Sequence, residues 1–147
     1  MEEFKKYGII KYGEFELKSG IKTDVYLDAK SIISYPELNS KICDKICQYI
    51  NPEIELVCGV PYGAISFASY VSISENIPMI MLRKEQKDYG TKKLIEGNFK
   101  QDQKVALIED VVTTGISIIE TAEKLSEQGL EVCQIISIFS RAKTEIF

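Results

Sequence analysis

"VALIEDVVTTGIS", residues 105–117, carries the reading of the fold. Its first four residues, Val105 to Ile108, are the end of an apolar run, "KVALI" (104–108), that suits a strand buried on both faces of a parallel sheet. Two adjacent acids follow, Glu109 and Asp110, and then Thr113, Thr114, Gly115 and Ser117. A helix is expected from about Ser117 to Gln128, stopped by Gly129. Neighbouring side chains of a strand point to opposite faces. For both acids to meet one ligand, the strand has to end at them and the chain has to twist. Two carboxylates about 4 Å apart repel by roughly 1–4 kcal/mol, which a cation or a pair of sugar hydroxyls relieves. The turn that follows offers hydroxyls and N–H groups, Gly115 permits positive φ, and a helix N-terminus attracts anions. One side asks for hydroxyls or a metal and the other for phosphate, and a ribose 5-phosphate carries both. Alone, "ED" or "TTG" reads more simply as an acidic strand end and a Thr cap. The whole string between strand and helix is what points to a ligand.

Working outward, "IELVCGV" (54–60), "IPMIML" (77–82) and "EVCQIISIF" (131–139) read as further buried strands, and "AISFASYVSISE" (64–75) as a helix. Leu38, Ile42, Ile46 and Ile50 recur every four residues, predicting a helix that starts at Pro36 and stops at Asn51-Pro52. In the N-terminal third, "EFELKSG" (14–20) and "KTDVYLD" (22–28) read as short strands around a Ser-Gly turn, a small hood beside the main body. The order strand, helix, strand, strand, helix, strand predicts an α/β fold with a mainly parallel twisted sheet flanked by helices. Ligands in such sheets bind beyond the carboxyl ends of the strands, where "ED", "PYG" and "RKE" all fall.

The 147 residues suit a single domain, 1–147, and 45% hydrophobic content is enough to build its core. A net charge of −4 argues against a general nucleic-acid binder but leaves room for a local basic pocket. No apolar run approaches a membrane span and "MEEFKKYGII" lacks a signal-peptide core, so a cytoplasmic protein without a membrane partner is expected. Cys43, Cys47, Cys58 and Cys133 lack CxxC spacing and lie in apolar segments, which predicts buried, reduced thiols. The chain contains no histidine, so its chemistry has to come from carboxylates, hydroxyls, Lys, Arg, Tyr, backbone or a bound metal.

"RKEQKDYGTKKLIEG" (83–97) holds Arg83, Lys84, Lys87, Lys92 and Lys93 and shows no clean period. It reads as a long polar loop able to close over a polyanion, though a solvated hairpin would look similar. Lys18, before Ser19-Gly20, is by itself an ordinary turn lysine.

With these stretches in view, "VALIEDVVTTGIS" resembles the phosphoribosyl pyrophosphate (PRPP) motif of type I phosphoribosyltransferases. "FELKSGIKTDVYLD", "YPEL", "VCGVPYGA" and the 83–97 loop narrow the resemblance to orotate phosphoribosyltransferases, most closely the orotate half of bifunctional UMP synthases, over about positions 4 to 141. Tyr89, where other branches have His before the loop Gly, fits that half. The resemblance implies transfer of phosphoribosyl from PRPP to orotate, with Mg²⁺ held mainly by PRPP and water and no direct side-chain ligand. It implies ribose hydroxyls on Glu109 and Asp110, and a 5-phosphate cradle from Val112 through Thr113, Thr114 and Gly115 to Ser117. Arg83, Lys84 and Lys87 would bind pyrophosphate, with Lys87 catalytic beside the two acids, and Tyr62 would line the pyrophosphate loop. Lys18, Thr113 and Arg141 would contact orotate. Loop 83–97 would reach a neighbouring subunit's site, implying a homodimer. Two departures stand out. Ser140 replaces the Asp that usually precedes the arginine, and Gly63 stands where many bacterial relatives have Lys. The chain also stops six residues past Arg141, shorter than the family, so a PRPP- or nucleotide-binding module with reduced turnover is the alternative expectation.

Overall fold

The computed structural model describes residues 2–16, 20, 22–83 and 93–141. Five strands form the central sheet: β3 (Leu56–Gly59), β4 (Met79–Leu82), β5 (Ile95–Glu96), β6 (Lys104–Val112) and β7 (Glu131–Ser140). Their spatial order is β5-β4-β3-β6-β7. The β4–β3, β3–β6 and β6–β7 pairs are parallel, and only the two-residue edge strand β5 runs antiparallel, against β4. This is the mainly parallel α/β sheet that the apolar runs predict. β5 was not legible because two residues inside a polar segment carry no period.

Alternation along the central strands builds two cores. Val57, Ala106 and Ile108 face one side with Phe67, Ala68 and Val71 of α3 (Ile65–Glu75) and Leu38, Cys43 and Ile46 of α2 (Pro36–Cys47). Leu56, Cys58, Val105 and Leu107 face the other side with Ile118 and Leu125 of α4 (Ile116–Ser126). Phe67 is fully buried, and its truncation to Ala would cost about 3–5 kcal/mol. α2 begins with Pro36 in its first turn, as expected, but ends at Cys47 rather than running on to Ile50. The Gln48 N–H still closes onto Asp44 O at 3.3 Å, and Ile50 packs on the core from the loop. α4 ends at Ser126, two residues short of the expected Gln128; a turn follows in which Gly129 takes φ 80° and Leu130 N–H returns to Leu125 O at 3.1 Å.

Three sequence expectations are corrected. The strand holding the two acids does not end at them: β6 continues to Val112 because β7 pairs with it throughout, Glu109 opposite Ser137 and Val112 opposite Ser140. The first hood strand starts earlier than expected, β1 (Ile10–Glu16), and pairs antiparallel with β2 (Lys22–Leu27). Of the cysteines, Cys43 and Cys58 are buried, but Cys47, the last residue of α2, and Cys133, on the edge strand β7, are only partly so. Burial is the main cause that pushes the Cys43 thiol up to about 12 and the Cys47 and Cys58 thiols up to about 11, so these three stay protonated and poorly nucleophilic. A short N-terminal helix α1 (Glu2–Lys6) and a 3-10 turn (Ala29–Ser34) complete the description. The 3-10 turn buries Ala29 and Ile32 and carries the chain from the hood to α2.

Candidate functional site

The carboxyl end of β6 sits between two hollows. Strand alternation sends Glu109 to the α4 side with Val105 and Leu107, and Asp110 to the opposite side with Ala106 and Ile108. Glu109 is 6% exposed. Asp110 N–H donates to Glu109 Oε1 at 3.0 Å, and Val111 N–H donates to Asp110 Oδ1 at 2.8 Å. These backbone donors bend each carboxylate back toward the strand edge. Burial pushes the Glu109 carboxyl up to about 8, and the hydrogen bond and charge of the neighbouring Asp110 carboxyl push the same way. The two acids are therefore a pair that meets across the strand edge while the strand itself continues. Ending the strand is not needed for them to act together.

Beyond Glu109, residues 111–118 wrap a hollow of about 80 Å³. Thr113, Thr114, Gly115 and Ser117 line it, with Glu109 at its floor. Gly115 takes φ 78° as the residue before α4, a left-handed conformation that L side chains rarely adopt. No side chain caps the helix. The Ile116 N–H lies 3.5 Å from Thr114 Oγ1, at the outer limit of a hydrogen bond. The helix thus starts from a glycine turn, as the whole string suggested, rather than from a Thr cap. That leaves first-turn N–H groups of an eleven-residue helix facing the hollow, as an anion site requires.

Beyond Asp110 lies a larger pocket of about 620 Å³, a size suited to a small ligand. Glu16, Tyr26 and Asp28 of the hood and Lys30 of the 3-10 turn line one wall, and Asp110, Thr113, Ser117 and Arg141 line the other. Tyr26, Asp28 and Lys30 were not singled out from the sequence. Their only signal is that "VYLDAK" alternates and then breaks at the hood's exit. Lys11 grips Asp28 at 2.6 Å, and that hydrogen bond is the main cause holding the Asp28 carboxyl below its usual range.

The loop after β3 closes the site from a third side. Pro61–Tyr62 is a cis peptide bond, and Tyr62 is exposed. At Gly63, a Cβ would lie 2.0 Å from Asp110 Oδ2 and 2.6 Å from Asp110 Cγ. The space that a side chain at 63 would take is filled by the Asp110 carboxylate. The departure noted at Gly63 therefore does more than remove a positive charge: it lets the acid pack against the loop.

Other expected site residues fall differently. Arg83 is not among the residues lining these two hollows. Its Nη2 and Nε lie 2.5 Å and 2.6 Å from Glu96 Oε1, and its N–H donates to Leu94 O at 2.9 Å. The β4–β5 pairing of Leu82 with Ile95 brings these two residues together across the base of loop 83–97. Arg141 does line the larger pocket, yet its guanidinium is bonded to the hood strand β2. Val112 lines the small hollow, and its carbonyl accepts from Arg141 N–H at 2.8 Å. Lys18, Lys84, Lys87 and Tyr89 lie outside the described residues. Among the described residues no group of three or more His, Cys, Asp or Glu is placed to hold a metal ion, and no helix is long and apolar enough to cross a membrane.

Comparison with known proteins agrees with this geometry. Residues 32–146 match the family model described as phosphoribosyl transferase domain. Uridine 5'-monophosphate synthase of Bos taurus is 44% identical over 134 residues, covering 89% of this chain and 28% of that protein. Orotate phosphoribosyltransferase of Methanocaldococcus jannaschii is 38% identical over 137 residues, covering 93% of this chain and 78% of that protein. Among solved structures, orotate phosphoribosyltransferase from Aeropyrum pernix superposes with a TM-score of 0.84 at 27% identity, covering 96% of this chain and 81% of that one.

Proposed function

The chain belongs to the phosphoribosyl transferase family, in its orotate branch, and from that premise we propose that it transfers the 5-phosphoribosyl group of PRPP to orotate. The products are orotidine 5′-monophosphate and pyrophosphate, in pyrimidine biosynthesis. The observation that carries this reading is the Glu109–Asp110 pair, standing between a phosphate-sized hollow ringed by residues 111–118 and a larger pocket roofed by the hood.

In this reading the 5-phosphate sits in the small hollow, on N–H groups and hydroxyls of Thr113, Thr114, Gly115 and Ser117 next to Val112. The ribose hydroxyls donate to the Glu109 and Asp110 carboxyls. The base enters the larger pocket beside Arg141 and Thr113, and Lys18 is assigned to orotate on the resemblance alone. Pyrophosphate lies toward Tyr62 and the basic loop, on Arg83, Lys84 and Lys87. Arg83 would exchange Glu96 for the polyanion when PRPP arrives.

The bond from C1 to the pyrophosphate oxygen breaks as orotate N1 bonds to C1 and gives up its proton. Positive charge grows on the ribose and negative charge on the leaving oxygens, and groups that meet those charges accelerate the step. The two acids stand on the cationic side and the loop bases, Lys87 above all, on the anionic side. Mg²⁺ bound with PRPP supplies further positive charge at the pyrophosphate. Glu109 and Asp110 would meet such an ion through the ribose hydroxyls, while PRPP and water would hold it. A cytoplasmic homodimer, with loop 83–97 closing over the neighbouring site, and a single domain over 1–147 complete the proposal.

The test is loss of orotate absorbance with PRPP and Mg²⁺, each omitted in turn. Turnover that needs all three supports the reading. PRPP binding without turnover would favour the binding-module alternative.

A further inference from the structure

We propose that Thr23 is a positioning residue for Arg141, holding its guanidinium in the plane in which it meets the base; the inference rests on the reading of Arg141 given above. Arg141 leaves the end of β7 with its N–H on Val112 O at 2.8 Å, and its side chain then crosses to the hood. There Nη1 donates to Val25 O at 2.9 Å and Nη2 donates to the Thr23 hydroxyl at 2.7 Å. These contacts join residues 116 and 118 positions apart in the chain.

The hood is built to receive them. Asp28 N–H donates to Ile9 O at 2.8 Å, and the alternation of an antiparallel ladder then turns the N–H and C=O of Val25 outward, away from β1. Thr23 serves those outward groups. Its Oγ1 donates to Val25 O at 3.1 Å and accepts from Val25 N–H at 3.2 Å. A hydroxyl has one proton and two lone pairs. With the proton on Val25 O and one lone pair on Val25 N–H, the remaining lone pair is the one that Arg141 Nη2 meets. The Thr23 hydroxyl can therefore only accept from the guanidinium, which sets its orientation.

A guanidinium carries five N–H donors in a rigid plane. Two are spent on β2, and they fix where the other three point. Arg141 lines the 620 Å³ pocket, whereas Thr23 is not among the residues lining it. Thr23 lines a neighbouring hollow with Lys22 and Asp24, so in this reading it acts on the base through Arg141. The same two bonds tie the hood to the sheet, so the base wall and the ribose acids keep a common frame.

The experiment compares the full chain with Thr23→Val, which keeps the shape and loses the hydroxyl, and with Thr23→Ser, which keeps the hydroxyl. Loss of one charge-assisted hydrogen bond is expected to raise KM for orotate about tenfold in Thr23→Val, with kcat and KM for PRPP within about twofold. Thr23→Ser should return KM for orotate to within about threefold of the parent. An unchanged KM for orotate in Thr23→Val, or a Thr23→Ser variant as impaired as Thr23→Val, would overturn the proposal. Should Thr23→Val fail to fold, Thr23→Ala takes its place. A second readout needs no turnover: ¹⁵N-resolved side-chain signals of Arg141, assigned by their loss in Arg141→Lys. Restricted Nη signals in the parent that average in Thr23→Val support the proposal, and signals insensitive to the substitution overturn it. If the parent chain turns over no orotate, the functional reading fails while this second readout still decides the role of Thr23.

Discussion

Replacing Glu109 by Gln should make the protein more stable as the pH rises, while impairing the site. In the unfolded chain Glu109 loses its proton near 4.5, and in the folded chain burial and the adjacent Asp110 hold it to about 8. Between those values the folded state carries a proton that the unfolded state has released. Stability therefore falls as pH rises through this window, and is unaffected by Glu109 below it. One proton sets a limiting slope of about 1.4 kcal/mol per pH unit, so three units would total about 4 kcal/mol. Discounted for water that reaches Glu109 from the adjoining hollow, about 2 kcal/mol is the expected difference between pH 5 and pH 8. Gln keeps an oxygen to accept the Asp110 N–H, now 3.0 Å from Glu109 Oε1, and has no proton to lose. Urea unfolding of both proteins at pH 5, 6, 7 and 8 gives the difference, since carboxylates remote from the pair cancel. The stability of Glu109→Gln relative to the parent should climb by that amount across the series. Parallel curves would refute the argument, because they would mean that Glu109 is ionised in the folded protein throughout.

Asp110→Asn should lower kcat/KM by about 10²–10³ with melting little changed, as expected for a group that meets transition-state charge; steady-state kinetics with orotate and PRPP decide it. Gly63→Ala places a Cβ 2.0 Å from Asp110 Oδ2, so the carboxylate has to turn away. Turnover should drop while stability changes by no more than about 1 kcal/mol, and the substitution should add nothing in an Asp110→Asn background, which a double-mutant cycle measures. Glu96→Gln releases Arg83 from its half-buried ion pair; stability should fall by less than about 1 kcal/mol, and KM for PRPP should drop severalfold if Arg83 then meets pyrophosphate. Lys87→Ala should cut the rate, and mixing it with an Asp110→Asn partner should restore part of the activity if the loop serves the neighbouring site.

The small hollow was the easiest part of the site to foresee. Thr113, Thr114, Gly115 and Ser117 belong to one turn between a buried strand and a helix, so covalent geometry alone keeps them together. The larger pocket was less legible. Its walls come from β1, β2, the 3-10 turn, β6, α4 and the end of β7, and nothing local in "VYLDAK" announces that Tyr26, Asp28 and Lys30 will face Asp110. Arg83 shows the opposite failure. Its basic neighbourhood suggested a polyanion, but pairing of β5 against β4 places Glu96 on it.

By itself the sequence determined the parallel sheet, its helices and the acid pair, because apolar periodicity and turn chemistry act within a few residues. It also resolved the glycine turn before α4 and the resemblance that led to PRPP. Only the tertiary structure decided that β6 runs on through its acids, because the deciding interaction is the ladder with β7. The same holds for Asp110 filling the space beside Gly63 and for Arg141 reaching across to Thr23. Each of these joins residues tens of positions apart, through a hydrogen bond or a shared volume that no local pattern encodes.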